Sequence, residues 1–217
     1  MAKRPTICQH TNIWEWIASV GNHRDCRVLE IGSRSVVSDM LWKRFIPLCN
    51  YTGLDVHEGR NVTITGDAHC LTDLFAPKSF DLIISLAVFE HIAMPWIVAE
   101  EIAKVLDVQG HVGIETHFSF SEHELPWHFY QFNSNALENL FCPELGFRVI
   151  DSGMDNPIDG RFADTSAEYL RGQYVGNLYC HSAIVAQKVN DVAIEKPFDW
   201  RRVAQRIYHE SMYPAPR

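Results

Sequence analysis

The sequence has little positive charge and no long apolar run, and each absence excludes a class of protein. Of its 217 residues, 19 are Lys or Arg and 27 are Asp or Glu, which gives a formal net charge of -8. Proteins that bind nucleic acids depend on Lys and Arg to neutralise phosphates, so no nucleic-acid partner is expected. No segment approaches the roughly 18 consecutive apolar residues of a membrane-spanning helix, so no membrane partner is expected either.

Paired cysteines and a secretion signal are also missing. The six cysteines form no Cys-x-x-Cys pair, and the first residues, Met-Ala-Lys-Arg, are not followed by a long apolar stretch. These features predict reduced thiols and a cytoplasmic protein. The chain does have a hydrophobic share of 47%, which is enough to build the core of one domain.

Strand-like and helix-like patterns alternate along most of the chain, which predicts βαβ units and a largely parallel sheet. Short apolar runs predict strands at 27–31, 51–55, 61–65, 80–85, 110–116, 147–152 and 178–188. Apolar residues at helical spacing predict helices at 11–20, 36–45, 95–106, 134–141 and 199–211. The polar segment 154–173 is predicted to be an irregular excursion. We therefore expect a helical extension over residues 1–24, one domain over 25–190, and a C-terminal helix and tail over 191–217.

Two predicted strands end in groups that suit a nucleotide-like ligand. The first reads Arg-Val-Leu-Glu-Ile-Gly over residues 27–32, and the second ends at Asp55. In an open parallel sheet, ligands bind at such strand ends, beside the start of a helix. Glu30 and Gly32 would form the mouth of the first strand, and the Asp55 carboxylate can accept hydrogen bonds from both hydroxyls of a ribose. A turn-forming role for Asp55 is the alternative, but its spacing from Glu30 favours a ribose-bearing cofactor.

With these pieces placed, the sequence resembles the class I S-adenosylmethionine-dependent methyltransferases over roughly residues 25–118. The resemblance depends on the order and spacing of Val-Leu-Glu-Ile-Gly (28–32), Gly-Leu-Asp-Val (53–56), Gly-Asp-Ala-His (66–69), the run from Phe80 to His91, and the helix-to-strand turn at 102–110. It implies a Rossmann-like α/β fold, with a seven-stranded, mostly parallel sheet, helices on both faces and one antiparallel strand. It also implies that S-adenosylmethionine lies across the C-terminal strand ends.

The same resemblance implies which residues hold the cofactor. Glu30 and Gly32 would flank its methionine moiety, Asp55 would hold the ribose, and Asp67 with Ala68 would receive the adenine. Ser85 and Leu86 would line the path to the sulfonium. The full set of predicted cofactor-binding residues is Glu30, Gly32, Ser33, Arg34, Asp55, Val56, Asp67, Ala68, His69, Ser85 and Leu86.

The glycine loop departs from the family pattern. The family usually has Gly-x-Gly here, whereas this chain has Gly32-Ser33-Arg34-Ser35, so the loop lacks the conformational freedom of a second glycine. One alternative is a reshaped loop, in which Ser33 or Ser35 replaces backbone contacts and Arg34 grips the methionine carboxylate. The other alternative is weaker cofactor binding.

Methyl transfer from a sulfonium is an in-line displacement, so the protein must position the acceptor and supply at most one base. His91 and His117 each follow a predicted strand and are the candidate catalytic bases, because histidine titrates near neutral pH. For each of them a structural role is the alternative, since the surrounding motif occurs in enzymes with unlike substrates.

An aromatic and histidine-rich loop, residues 117–133, is predicted to form the acceptor pocket. The candidate substrate-binding residues are His123, Trp127, His128 and Tyr130. A divalent metal ion is an alternative ligand for this loop, but no spacing such as His-Glu-x-x-His occurs, and no metal is predicted. A simple aromatic lid over the sheet edge is compatible with the pocket.

These features together predict a methyltransferase of small molecules, with O-methylation of a sugar or another hydroxyl-bearing metabolite as the expected reaction. The alternative is a degenerate methyltransferase fold that binds ligands or acts as a scaffold without catalysis. Arg201, Arg202 and Arg206 on the predicted terminal helix suit a solvated face, an acidic partner or a second subunit, which leaves a homodimer open.

Overall fold

The computed structural model describes residues 13–36, 42–191, 193 and 197–210, and side chains as far as residue 207. Its strands are β1 (Arg27–Ile31), β2 (Asn50–Asp55), β3 (Ile64–Thr65), β4 (Phe80–Leu86), β5 (Leu106–His117), β6 (Phe147–Arg161) and β7 (Tyr174–Lys188). The helices in these ranges are α1 (Ile13–Gly21), α2 (Leu71–Leu74), α3 (Pro95–Val105), α4 (Ser134–Leu140) and α5 (Arg201–Glu210). Single 3-10 turns lie at Trp42–Arg44, Ala68–Cys70, Phe89–His91 and Pro143–Leu145.

The strands form a seven-stranded sheet in the order β3-β2-β1-β4-β5-β7-β6. β1 pairs in parallel with β2 and β4, and β4 pairs in parallel with β5. β7 runs antiparallel to both of its neighbours, β5 and β6. The predicted fold, a mostly parallel Rossmann-like sheet with one antiparallel strand, is confirmed.

The core has two layers because successive strand residues face opposite sides of the sheet. On one side, Ile13 and Ile17 of α1 pack against Val28 and Leu82. On the other side, α3 and α4 cover the remaining strand residues, such as Leu29 of β1. The centre of β4 is fully buried on both faces, as its unbroken apolar run predicts for an inner strand.

The predicted boundaries of the outer strands were wrong. The segment 154–173 is not an irregular excursion, because β6 continues to Arg161 and β7 begins at Tyr174, so residues 162–173 alone connect them. The distal halves of β6 and β7 pair only with each other as a two-stranded ribbon. Most of the ribbon's residues are exposed or half-buried, so they carry polar side chains and give no strand-like pattern. β5 likewise begins at Leu106, directly after α3, rather than at residue 110.

Parts of two predicted helices lie outside the described residues, and a third predicted helix has different bounds in the structure. Residues 37–41 of the predicted helix 36–45 lie outside the described residues, and the described remainder includes only the 3-10 turn Trp42–Arg44. Residues 11 and 12, the first two of the predicted helix 11–20, also lie outside the described residues. The terminal helix, predicted for 199–211, spans Arg201–Glu210. None of the helices within the described ranges has the length and apolarity that a membrane crossing requires.

Candidate functional site

A cavity of about 880 Å³ opens at the C-terminal ends of β1, β2, β4 and β5. Nine of the predicted cofactor-binding residues line it: Glu30, Gly32, Ser33, Arg34, Asp55, Val56, Asp67, His69 and Leu86. The two others lie beneath its wall, where Ala68 is buried and the Ser85 hydroxyl donates a hydrogen bond to the carbonyl of Ile31 at 3.1 Å. Parallel strands bring these residues together because their carboxyl ends meet at one edge of the sheet.

Glu30 anchors a polar network at the mouth of β1. Its side chain is buried and accepts hydrogen bonds from the Tyr51 hydroxyl and, at 3.3 Å, from the Asn61 amide. Burial raises the pKa of Glu30 to about 7, and the hydrogen bonds from Tyr51 and Asn61 offset only part of that rise. The Asn61 Nδ2 also donates to the carbonyl of Ser33 at 3.1 Å, so this network fixes the glycine loop from below.

The glycine loop is held by backbone hydrogen bonds. The amides of Gly32 and Ser33 both donate to the carbonyl of Leu54, at 2.8 and 3.0 Å. Gly32 has a φ of +77° and faces the Val88 side chain so closely that a Cβ would collide with it. Glycine is therefore required at position 32, even though the second glycine of the family pattern is absent.

Asp55, the predicted ribose acceptor, lies at the cavity wall beside Arg34. Its carboxylate accepts from the amides of Arg34 at 3.2 Å and of His57 at 3.0 Å. The Arg34 Nε lies 3.5 Å from Asp55 Oδ1, and the stem of the arginine side chain covers Gly59. The guanidinium therefore neutralises Asp55 here, and its predicted contact with a methionine carboxylate stays a prediction.

Asp67 and His69 form a pair at the adenine end of the cavity. Asp67 Oδ1 accepts from the His69 amide at 2.9 Å and lies 2.6 Å from His69 Nδ1, while His69 Nε2 accepts from the Met94 amide at 3.2 Å. Burial alone would raise the pKa of Asp67, but the hydrogen bonds from His69 outweigh it and lower that pKa. His69 thus orients the carboxylate that is predicted to receive the adenine.

Two polar atoms at the cavity fit a cofactor that brings its own donors and acceptors. Ser33 Oγ and Asn61 Oδ1 are buried and have no hydrogen-bond partner among the described residues. Both residues line the cavity between Glu30 and Asp55. Buried polar atoms are normally hydrogen-bonded, so these two suit the amino and hydroxyl groups of the predicted cofactor.

Glu90 and His117 form a buried pair at the other end of the cavity. Glu90 is fully buried in the turn after β4, and its carboxylate lies 2.5 Å from His117 Nδ1 and accepts from the Thr116 hydroxyl at 2.5 Å. Burial would raise the pKa of Glu90, but the adjacent His117 and the Thr116 hydroxyl outweigh it and lower that pKa. Glu90 Oε1 and His117 Nδ1 are close enough for an ion pair, and neither atom has a hydrogen bond of good geometry among the described residues. A proton on Nδ1 would lie beside the carboxylate and would leave Nε2 of the imidazole as the basic nitrogen.

The candidate site contains a residue that the sequence does not predict, Glu90. It belongs to the Phe89-Glu90-His91 motif, in which only the histidine was predicted to act. The available signal was the parallel pairing of β4 with β5, because residues after the two strands must then lie side by side. His91 lines the cavity as well, but its Nδ1 lies 3.0 Å from the carbonyl of Trp127 and holds the acceptor loop.

The acceptor loop folds over the cavity with its histidines in contact. The His123 ring lies 5.1 Å from His117, 4.7 Å from His91 and 4.6 Å from His128, measured between centroids. Of the predicted substrate-binding residues, His123 and Trp127 line the cavity. His128 lies behind them, with Nδ1 accepting from the His123 amide at 3.3 Å, and the Tyr130 hydroxyl donates to the carbonyl of Ala93 at 3.0 Å.

Comparisons with known proteins agree with this geometry. Residues 29–114 match the family model of a methyltransferase domain, whereas no curated protein matches the chain in sequence. YcgJ from Bacillus subtilis has a TM-score of 0.56 at 16% identity, over 85% of this chain and 100% of that chain. An S-adenosylmethionine-dependent methyltransferase from Archaeoglobus fulgidus has a TM-score of 0.55 at 16% identity, over 81% of this chain and 94% of that chain.

A third similar structure is the CurJ carbon methyltransferase, with a TM-score of 0.50 at 16% identity. The alignment covers 80% of this chain and 51% of that chain, so this chain spans about half the length of CurJ. At 16% identity the structural likeness shows that the fold is shared. The molecules that these relatives methylate are not assigned to this chain. The matched domain, residues 29–114 carried on this sheet, supports a class I S-adenosylmethionine-dependent methyltransferase with S-adenosylmethionine as its cofactor.

Proposed function

We propose that the enzyme methylates a hydroxyl group of a small molecule, such as a sugar, and that His117 accepts the hydroxyl proton. The observation that carries this proposal is the buried Glu90–His117 pair, which lies in the wall of the cofactor cavity. A thioether acceptor has no proton to lose, whereas a hydroxyl must lose one as it attacks, and a histidine paired with a carboxylate can accept it.

The geometry supports His117 as a general base. With a proton on Nδ1 beside the Glu90 carboxylate, Nε2 takes the proton of the acceptor hydroxyl and the resulting imidazolium is stabilised by the adjacent carboxylate. S-adenosylmethionine, when bound, supplies the electrophilic methyl group. Phe120 stacks on the His117 ring at 4.5 Å and an angle of 9°, which fixes the plane of the imidazole.

The rim of the cavity supports a sugar-like or aromatic acceptor. Trp127 is 64% exposed and Phe120 is 48% exposed, although both are large apolar side chains that line the cavity. Exposed aromatic faces at a cavity rim suit stacking on the apolar face of a ring. The residues that could hydrogen-bond its hydroxyls are His123 and Glu124, which line the same rim.

The experiment is an acceptor screen over sugars and phenols, scored by the release of S-adenosylhomocysteine. With an acceptor found, His117→Gln is expected to lower kcat by roughly 10²- to 10⁴-fold and to leave the affinity for S-adenosylhomocysteine unchanged. His23→Gln is the matched control, because His23 is exposed and lies in the turn before β1 at the opposite edge of the sheet. Full turnover by His117→Gln, or methylation of carbon alone, would contradict the proposal.

A noncatalytic binding or scaffold protein is the second candidate. The contact between Arg34 and Asp55 favours it, because it occupies the carboxylate that is expected to hold the ribose. Calorimetry with S-adenosylmethionine and S-adenosylhomocysteine separates the two candidates. Heat from neither ligand would support the scaffold, whereas binding together with product release in the acceptor screen supports the enzyme.

A further inference from the structure

We propose that Glu90, His117 and His123 form a binding site for a divalent transition-metal ion of the zinc class. One ligand atom from each of the three side chains lies within 4.8 Å of the other two. The sequence predicts no metal because the histidines of the loop 117–133 have no recognisable ligand spacing and Glu90 comes from a distant part of the chain. This inference does not depend on the proposed function, although both concern the same wall of the cavity.

The ligand types suit this class of ion. Two imidazoles and one carboxylate, with one position left open, form the ligand set of many catalytic zinc sites, and imidazole favours zinc over magnesium or calcium. Glu90 is fully buried and His117 is 8% exposed, whereas His123 is half-buried and lies on the cavity side. The open position would therefore face the cavity.

The protonation pattern around the cluster supports His123 as a ligand. Its Nδ1 lies 2.9 Å from the carbonyl of Ser121. Because a carbonyl can only accept, Nδ1 carries the proton and Nε2 keeps its lone pair free to bind a metal. Metal-ligating histidines typically make this second hydrogen bond to a carbonyl. Glu90 is oriented in a similar way, by the hydroxyl of Thr116.

A neighbouring histidine, His91, places a further nitrogen lone pair near the Glu90 carboxylate. The Nδ1 of His91 lies 3.0 Å from the carbonyl of Trp127, so its Nε2 is also unprotonated in the neutral ring. That Nε2 lies 4.0 Å from Glu90 Oε1 and 3.8 Å from the exposed Glu124 Oε2. The Glu90 carboxylate and the nitrogen lone pairs around it together attract a cation. Here that cation is either the proton on His117 or a metal ion.

Metal binding therefore exchanges one ion for one proton. Glu90 and His117 are 2.5 Å apart, the distance of a shared proton, whereas two ligands of a tetrahedral zinc ion lie roughly 3.3 Å apart. The pair must widen by less than about 1 Å, and the displaced proton leaves to solvent. If the proposed function is also correct, the ion withdraws His117 from its role as base and slows methyl transfer as the site fills.

The test is a titration of the full chain with Co²⁺ and Zn²⁺, followed by visible absorption for Co²⁺ and by calorimetry for Zn²⁺. We expect one ion per chain and the visible bands of a tetrahedral Co²⁺ site with nitrogen and oxygen ligands. His123→Gln is expected to weaken binding by at least about 100-fold, because it removes one of three ligands. His23→Gln, which changes an exposed histidine away from the cavity, should bind like the wild type.

Several results would overturn the assignment. Equal affinity in wild type and His123→Gln would mean that the ion binds elsewhere. His117 also forms a cluster with Cys180 and His181, and a strong thiolate-to-cobalt band that disappears in Cys180→Ser would place the ion there instead. S-adenosylhomocysteine binding, measured on every variant, reports the fold. If the protein binds the cofactor but not Co²⁺, only the proposed metal site is rejected. If it binds Co²⁺ but not the cofactor, only the proposed function is rejected.

Discussion

The buried Glu30 carboxyl should make the stability of the protein depend on pH in a defined window. Glu30 is 3% exposed, and burial raises its pKa from the ordinary 4.5 to about 7. Each unit of pKa corresponds to about 1.4 kcal/mol, so the displacement corresponds to about 3 kcal/mol of unfolding free energy. The sign follows from proton binding: a raised pKa means that the folded protein holds this proton more tightly than the unfolded chain.

The contribution of Glu30 is therefore fully present below about pH 4.5 and is lost as the pH rises through about 7. Glu30→Gln replaces the protonated carboxyl with a neutral group of similar shape. We expect the variant to match the wild type near pH 4 and to exceed its unfolding free energy by up to about 3 kcal/mol above pH 7.5. Urea unfolding of both proteins across this range measures the difference.

Glu115 supplies the matched control for this experiment. Its pKa is also raised to about 7, by burial and by the nearby Asp155 carboxylate. Glu115→Gln should therefore remove a separate part of the same pH dependence, and the double variant should remove both parts. Parallel pH profiles for the wild type and Glu30→Gln would refute the reasoning, because they would mean that folding does not change the pKa of Glu30.

Three further substitutions test the site. Asp55→Ala should weaken S-adenosylmethionine binding by more than about tenfold in calorimetry, because the ribose hydroxyls lose their acceptor; an unchanged Kd would reject that role. Gly32→Ala should lower the unfolding free energy by about 1–3 kcal/mol, because of its φ of +77° and the nearby Val88 side chain, and Val88→Ala in that background should recover part of the loss if the collision is real. Trp127→Ala, at a side chain that is 64% exposed, should raise the KM for the acceptor severalfold and leave the Tm unchanged, whereas an unaltered KM would remove Trp127 from the acceptor site.

The centre of the sheet could be predicted because its pattern is local. β1 and β4 each show a short apolar run that ends in a polar group, and these two strands pair in register from Val28↔Leu82 to Ile31↔Ser85. The outer ribbon of β6 and β7 could not be predicted in the same way. Its pairing partner lies across a loop, and neither face packs on the core, so no alternation of apolar and polar residues marks it.

The residues of the candidate site could likewise be predicted only where their pattern is local in the sequence. The residues predicted to bind the cofactor follow strand ends, where a single acidic residue or glycine is visible in the sequence, and nine of the eleven line the cavity. Glu90 pairs with a residue 27 positions later, and this proximity follows only from the parallel pairing of β4 with β5. The Arg34–Asp55 contact depends on side-chain direction in an irregular loop, which residue spacing does not determine.

The acceptor loop is attached at both ends by main-chain hydrogen bonds. The Phe118 amide donates to the carbonyl of Cys180 at 2.8 Å, and the amides of Phe129 and Tyr130 donate to the carbonyl of Glu90 at 2.8 and 3.2 Å. Such bonds do not depend on which side chains lie between them. Residues 119–128 lie between these attachments, so we expect substitutions there, apart from Phe120 and His123 that contact the His117 ring, to change which molecules the cavity accepts without detaching the loop.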